Sequence, residues 1–355
     1  IKSRKVKLLL FSIYKRNKMD KTGVLVVNLG TPDSPKVKDV RPYLREFLND
    51  PRVIDIPWLL RKILVNLIIV PFRSFSSSKI YKELWTEKGS PLLIYGEEVR
   101  DMLQDKLGDK FGVHLAMRYK NPSMDHVMAE MRMQNYTKII VFPMFPHYAS
   151  ASTGSAIEKA MKIMSKWWVI PEVTFISQYW DHPGFIDACI ERAKQYNLDE
   201  YEHFLFSYHG VPERHVDKVY LDGSPCKDHD CETELTDTNK YCYKATCFAT
   251  TRLIVERLGI PEDKYTVAFQ SRLDNKWLTP FSDKVVEEKA KGGMKKMLAF
   301  SPAFVADCLE TTVEIGIEYQ EIWEEHGGEK IQLVESLNAH PVWVDAIKDM
   351  ILERV

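Results

Sequence analysis

Short apolar runs alternate with segments of helical spacing along almost the whole chain, and this alternation restricts the fold more than any single motif. Apolar runs at 24–29, 113–119, 138–142, 173–176, 203–209, 266–269, 296–300 and 331–334 predict strands. Between them, spacing of three and four residues predicts helices at 37–48, 97–107, 124–133, 155–166, 185–196, 250–258, 283–291, 307–324 and 342–352. Strands that alternate with helices form parallel, doubly wound α/β sheets. Eight strands divide naturally into two sheets of about four. The expected division is an N-terminal domain 19–175 and a C-terminal domain 176–355, the latter carrying an insert at 220–248. The last helix is expected to reach back onto the first domain. No internal sequence repeat is evident.

The 355 residues suffice for two cores. With 49 Lys and Arg against 50 Asp and Glu, the chain has no electrostatic case for nucleic acid. No apolar run reaches the 18–20 residues of a spanning helix. Residues 1–18 are basic with a short apolar patch and no small-residue cleavage site, so they read as a leader outside the fold of a cytoplasmic protein, with Met19 the more natural start.

Residues 53–72 combine Pro57, Trp58, Leu59 and Leu60 with an apolar run from 63 to 70. Burial is the default for such a segment; the alternative is an apolar lip that meets a membrane or a greasy substrate. Arg73 and the serines at 74 and 76–78 read as a flexible exit.

Chemistry-bearing residues gather just past strand ends, where open α/β sheets bind ligands. His209 follows the run 203–206 and precedes Gly210 and Pro212; its imidazole can take or give a proton near neutral pH. After the run 296–300, Glu310, Glu314 and Glu318 recur every four residues. On an α-helix they form a stripe drifting by about 40° per step, and a π-helical turn would align them better. A solvated acidic face is the plain alternative; a histidine opposite a carboxylate row suits proton transfer coupled to a divalent cation. Arg118 and Tyr119 end another run, with a substrate carboxylate or a structural carboxylate as the partner of Arg118. Phe145, His147 and Tyr148 end a third, followed by hydroxyls that can cap a helix. Gly30, after Leu29, allows close approach of the backbone to a ligand.

Four of the six cysteines crowd into one polar segment as Cys226, Cys231, Cys242 and Cys247, spaced C-x4-C-x10-C-x4-C. Thiolates in fours hold zinc or an iron–sulfur cluster. The spacing lacks the C-x2-C pair of zinc ribbons, which favours the cluster; free thiols are the remaining alternative.

Six stretches taken in order resemble the ferrochelatase family, from residue 24 to the C-terminus. They are Val27-Asn28-Leu29-Gly30-Thr31-Pro32, Arg118-Tyr119-Lys120-Asn121-Pro122, Pro143-Met144-Phe145-Pro146-His147-Tyr148 with Ser152-Thr153-Gly154-Ser155, Phe206-Ser207-Tyr208-His209-Gly210-Val211-Pro212, Phe269-Gln270-Ser271-Arg272 with Trp277-Leu278, and Asp307-Cys308-Leu309-Glu310-Thr311. The resemblance implies two Rossmann-like domains with a porphyrin in the cleft between them, and insertion of Fe²⁺ with release of two pyrrole protons. It implies that His209 and Glu310 are catalytic, that Glu314 and Glu318 continue an acidic ladder for metal or protons, and that Leu29, Arg118, Tyr119, Phe145, Tyr148 and Trp277 contact the porphyrin. It also implies peripheral membrane contact through 53–72 and a [2Fe–2S] cluster on Cys226, Cys231, Cys242 and Cys247. The chain departs from some members in carrying Cys308 two positions before the glutamate, where they have histidine, and His147 where glutamine is frequent. A haem or porphyrin carrier without catalysis is the alternative function. Protoporphyrin and coproporphyrin, and monomer and homodimer, stay equally open.

Overall fold

A computed structural model describes residues 21–355; the leader read at 1–18 lies outside the described residues. Eight strands form two sheets, all strands parallel. They are β1 Thr22–Gly30, β2 Phe111–Tyr119, β3 Lys138–Pro143, β4 Glu172–Phe175, β5 His203–His209, β6 Tyr265–Gln270, β7 Lys296–Phe300 and β8 Lys330–Leu333. The orders are β2-β1-β3-β4 and β6-β5-β7-β8, so each half places its first strand inside and its second at an edge. The third strand of each half leads to a π-helical segment, Ser150–Gly154 after β3 and Leu309–Tyr319 after β7. The two halves thus repeat a topology that their sequences do not reveal.

Parallel sheets are covered on both faces, which explains continuous rather than alternating apolar runs. In β1, Val24 and Val26 enter one core while Leu25 and Val27 enter another with Met128, Ile139 and Ala160. The first of these cores is shared: Val24, Val26 and Phe142 belong with Phe204, Phe206 and Phe300 of the second sheet. The helix Pro341–Leu352 carries Trp343, Ile347 and Met350 into it, packing on Pro91–Leu107 and Pro183–Ala193. Lys106 and Asp345 pair at 2.7 Å along this contact. Each buried side chain of this size contributes roughly 1.5–3 kcal/mol, so the halves are held by apolar burial rather than by that one exposed ion pair.

Two expectations need correction. The segment 53–72 is buried only along one edge, by Arg61, Val65 and Val70. Its helix Trp58–Ile63 and π-turn Leu64–Ile69 turn Trp58, Leu59, Leu60, Ile63, Leu67 and Ile68 outward, with Trp58 at 64% exposure and Leu67 at 68%. Arg61 points inward with Val65 and Val70, donating to the carbonyls of Ile54 at 3.2 Å and Ile56 at 2.9 Å. The carbonyls of the preceding turn need a donor more than the core needs another leucine. The serines that follow do not form a flexible exit but lie in the helix Val70–Leu84, with Ser74, Ser77 and Ser78 buried. Small side chains let this helix approach Val37–Leu48, and Ser78 Oγ donates to Pro35 O at 2.6 Å.

Candidate active site

Because every strand is parallel, the carboxyl ends of β1, β2, β3, β5 and β6 carry Leu29, Tyr119, Pro143, His209 and Gln270 at corresponding edges of the two sheets. His209 is the last residue of β5 and half-buried, 6.1 Å from the Phe304 ring by centroids. Its Nδ1 lies 2.6 Å from Gly210 O. A carbonyl only accepts, so Nδ1 carries the proton and Nε2 keeps its lone pair. Gly210 is obligatory here: a Cβ would fall 2.7 Å from Gln270 O and 3.3 Å from the Trp277 ring. Trp277 is half-buried beside it, where Leu278 N donates to Val211 O at 3.0 Å.

Glu310 stands in the first turn of the π-helix Leu309–Tyr319, capped by Cys308. It faces the buried phenols Tyr43 and Tyr81 and the Cys308 thiol; burial and then the Glu310 charge raise the thiol pKa well above its usual range. Burial likewise raises both phenols, with Glu310 adding to the shift. Glu314 is engaged. Its carboxylate accepts from Ser271 N at 2.8 Å, Ser271 Oγ at 2.5 Å, Gln270 Nε2 at 2.9 Å and Tyr319 OH at 3.1 Å. Those four donors match the acceptor capacity of a carboxylate and hold Ser271 at a φ of 62°. Glu318 lies at the exposed end; desolvation, then the charges of Glu314, Glu321 and Glu83, raise its pKa. Leu309 and Val313 pack with Leu29, Phe47 and Tyr119, so the π-helix leans on the first half.

Gln270 ties these pieces together and is what the motif reading left without a role. It is 1% exposed. Its backbone carbonyl accepts from Gly210 N at 2.7 Å, its Oε1 from Ser207 Oγ at 2.6 Å, and its Nε2 donates to Glu310 O at 2.7 Å. One buried amide therefore links the His209 turn to both glutamates.

On the other half, Asp50 is the missed organiser. Its Oδ2 accepts from Arg118 Nη2 at 2.5 Å, Tyr119 OH at 3.0 Å and Ser155 Oγ at 2.6 Å. Arg118 Nε also donates to Ser155 Oγ at 2.7 Å. The structural partner expected as one alternative for Arg118 thus exists, and Tyr119 is fully buried. Arg118 lines a cavity of about 580 Å³ with Arg45, Lys62, Asn66 and Lys159; neither His209 nor Glu310 lines it. Phe145 and Tyr148 are half-buried. Gly30 serves the adjacent strand rather than a ligand: at φ 125°, a Cβ there would meet Tyr119 O at 2.1 Å.

The cysteine segment brings three of its four thiols together. Cys226, Cys231 and Cys242 are buried with Sγ–Sγ distances of 3.8, 3.5 and 3.8 Å. Bonds of about 2.3 Å to one tetrahedral metal would place sulfurs about 3.8 Å apart, so these three thiols as they stand match the ligands of a single metal. Hydrogen bonds from Cys226 and Cys242, with Tyr220 OH at 2.9 Å, favour the Cys231 thiolate and lower its pKa. Cys247 lies outside this group. The helix expected from 250 starts at Tyr243, which puts Cys247 on a buried helical turn beside Tyr243.

A family model described as Ferrochelatase matches residues 21–355. A ferrochelatase of Coxiella burnetii (strain Dugway 5J108-111) is 44% identical over 93% of this chain and 93% of its own length. One of Legionella pneumophila (strain Paris) is 42% identical over 94% of this chain and 99% of its own. In fold, the chain is similar to SirB from Bacillus subtilis with Fe³⁺, at a TM-score of 0.56 and 11% identity, covering 94% of this chain and 95% of that one. The family model and the relatives show that the chain belongs to the ferrochelatase family.

Proposed function

We propose that His209 is the base of a ferrochelatase reaction, in which Fe²⁺ enters a porphyrin and two pyrrole protons leave in the last steps of haem biosynthesis. Family membership supports the reaction. The observation that carries the residue assignment is the Nδ1–Gly210 hydrogen bond, which leaves Nε2 of His209 as a proton acceptor at the strand edge. The two pyrrole N–H protons pass in turn to Nε2, the first handed on to solvent before the second is taken, so that both have left as Fe²⁺ binds the ring nitrogens. Glu310, across the π-helix turn, balances the imidazolium and meets the incoming cation, and Glu318 continues the path outward. Glu314 serves mainly by fixing the turn. Binding energy from the rest of the macrocycle offsets the distortion that exposes the nitrogens. Leu29, Phe145, Tyr148 and Trp277 supply apolar walls, and Tyr119 shapes the floor through Asp50. Arg118 reaches a propionate through Nη1, which makes none of its described hydrogen bonds.

Cys226, Cys231 and Cys242 hold a thiolate-bound metal centre in this reading, and its contribution is structural; a [2Fe–2S] cluster, which takes two thiolates on each iron, would require Cys247 to join them as fourth ligand. The exposed row Trp58, Leu59, Leu67 and Phe72 supports peripheral membrane contact. No helix among the described residues is long and apolar enough to cross a membrane. The carrier alternative finds no support in the family match. Anaerobic incubation with Fe²⁺ and protoporphyrin IX or coproporphyrin III tests the function. Enzyme-dependent loss of porphyrin fluorescence with one of them is expected; tight binding without loss would reject it.

A further inference from the structure

The helix Tyr243–Leu258 begins at Cys242, a member of the thiol triad, and its buried face reaches both halves of the cleft. Thr250 Oγ1 donates to Trp180 O at 3.1 Å, so it accepts from His147 Nε2, 2.9 Å away. That assigns the proton to Nε2 and leaves Nδ1 a buried acceptor without a partner. The His147 ring is clasped edge-on by Tyr208 at 5.3 Å and Tyr243 at 6.0 Å. One turn of the same helix also holds Tyr208, whose hydroxyl lies 2.8 Å from Thr251 Oγ1. Tyr241, beside Cys242, packs edge-on against Tyr148 at 5.8 Å. Tyr208 precedes His209 and His147 precedes Tyr148 in sequence. A buried imidazole with one hydrogen bond is an expensive way to fill space; its geometry suits a pin better than a filler.

We propose that His147 and Thr250 are positioning residues for the porphyrin: their hydrogen bond lets the thiol-anchored helix set Tyr148, while Thr251 sets Tyr208 beside His209. The thiol centre thereby acts on substrate binding at a distance, by fixing the N-terminus of one helix that supports the wall residue Tyr148 in one half and, through buried Tyr208, the neighbouring His209 in the other. This rests on the porphyrin site proposed above.

Thr250→Val keeps the shape and removes the hydroxyl; Thr250→Ser keeps the hydroxyl. Thr246→Val is the matched control, since Thr246 Oγ1 bonds only Cys242 O and Tyr243 O. Thr250→Val is expected to raise the porphyrin KM about tenfold, the scale of one lost buried hydrogen bond, with a smaller change in kcat. Thr250→Ser and Thr246→Val should stay within about twofold of wild type on the same scale. Amide hydrogen exchange of the porphyrin-free protein supplies the second readout. Thr250→Val should speed exchange at 145–150 and 207–210, and so should stripping the wild-type protein of thiol-bound metal. Should Thr250→Val not fold, the more exposed Tyr241→Ser carries the same expectation for KM and for exchange at 145–150. Unchanged exchange at 145–150 in the variant, or an equal effect from Thr246→Val, would overturn the proposal. Exchange that responds while porphyrin does not bind at all would instead reject the site reading and leave the pin standing.

Discussion

The amide of Gln270 donates to the carboxylate of Glu314 at 2.9 Å, from a position where the amide is almost fully buried. With Ser271 and Tyr319 it fills the acceptor sites of that carboxylate. A glutamate so bound is held ready as structure rather than as a free metal ligand. Glu314→Gln should therefore lower stability by about 2 kcal/mol, within the range for charge-assisted hydrogen bonds, as read by urea unfolding. Stability near wild type together with lost iron binding would make Glu314 a ligand instead.

His147 sets an acid limit on the fold. Burial pushes its pKa down to about 3, and burial likewise takes His203 to about 4. Both groups bind a proton more readily when unfolded, so their contribution is complete above about pH 6.5 and is lost as pH falls toward the folded values. From His147 alone the loss is about 2 kcal/mol by pH 5. The variant His147→Gln should lose less stability than wild type between pH 7 and pH 5. Parallel decline of the two in chemical denaturation would show that the ring is not held neutral.

The outward lip gives a membrane prediction. Replacing Trp58, Leu67 and Phe72 by serine removes exposed apolar area without touching the core. Binding to phosphatidylethanolamine–phosphatidylglycerol vesicles should fall at least tenfold, about 1.4 kcal/mol, which is modest for three large side chains. The melting temperature should hold. Unaltered co-sedimentation would assign the lip to another partner.

The thiol triad predicts bound metal in protein purified without oxygen. That metal should be lost in Cys231→Ser; iron with equimolar sulfide and visible charge-transfer bands would show that Cys247 joins the triad as fourth ligand. Zinc without those bands would fit the mutual sulfur distances and reject the two-iron cluster.

Much of this architecture was legible because parallel strands are apolar on both faces, so 24–29 and 296–300 stand out as runs. His209 and the glutamates were legible because parallel sheets collect strand ends at one edge. The direction of the lip was not, since apolar periodicity says which residues share a face and not whether that face is covered. Arg61 pointing inward depends on the carbonyls of Ile54 and Ile56, which no side-chain pattern encodes. Asp50 and Gln270 were missed for a similar reason: their partners lie 68 and 44 residues away in sequence. Cys247 was grouped by spacing alone; the helix that carries it starts about two turns earlier than 250, and its thiol lies beside Tyr243 rather than within the triad.

The assignment of His209 as base is tested most directly by measuring porphyrin affinity and single-turnover Fe²⁺ insertion side by side in wild type and His209→Ala. The account predicts affinity within about threefold of wild type and insertion slower by about 10²–10⁴-fold, the usual contribution of a positioned general base. Affinity and insertion falling by the same factor would contradict it, and would make His209 a residue that holds the ring rather than one that takes its proton.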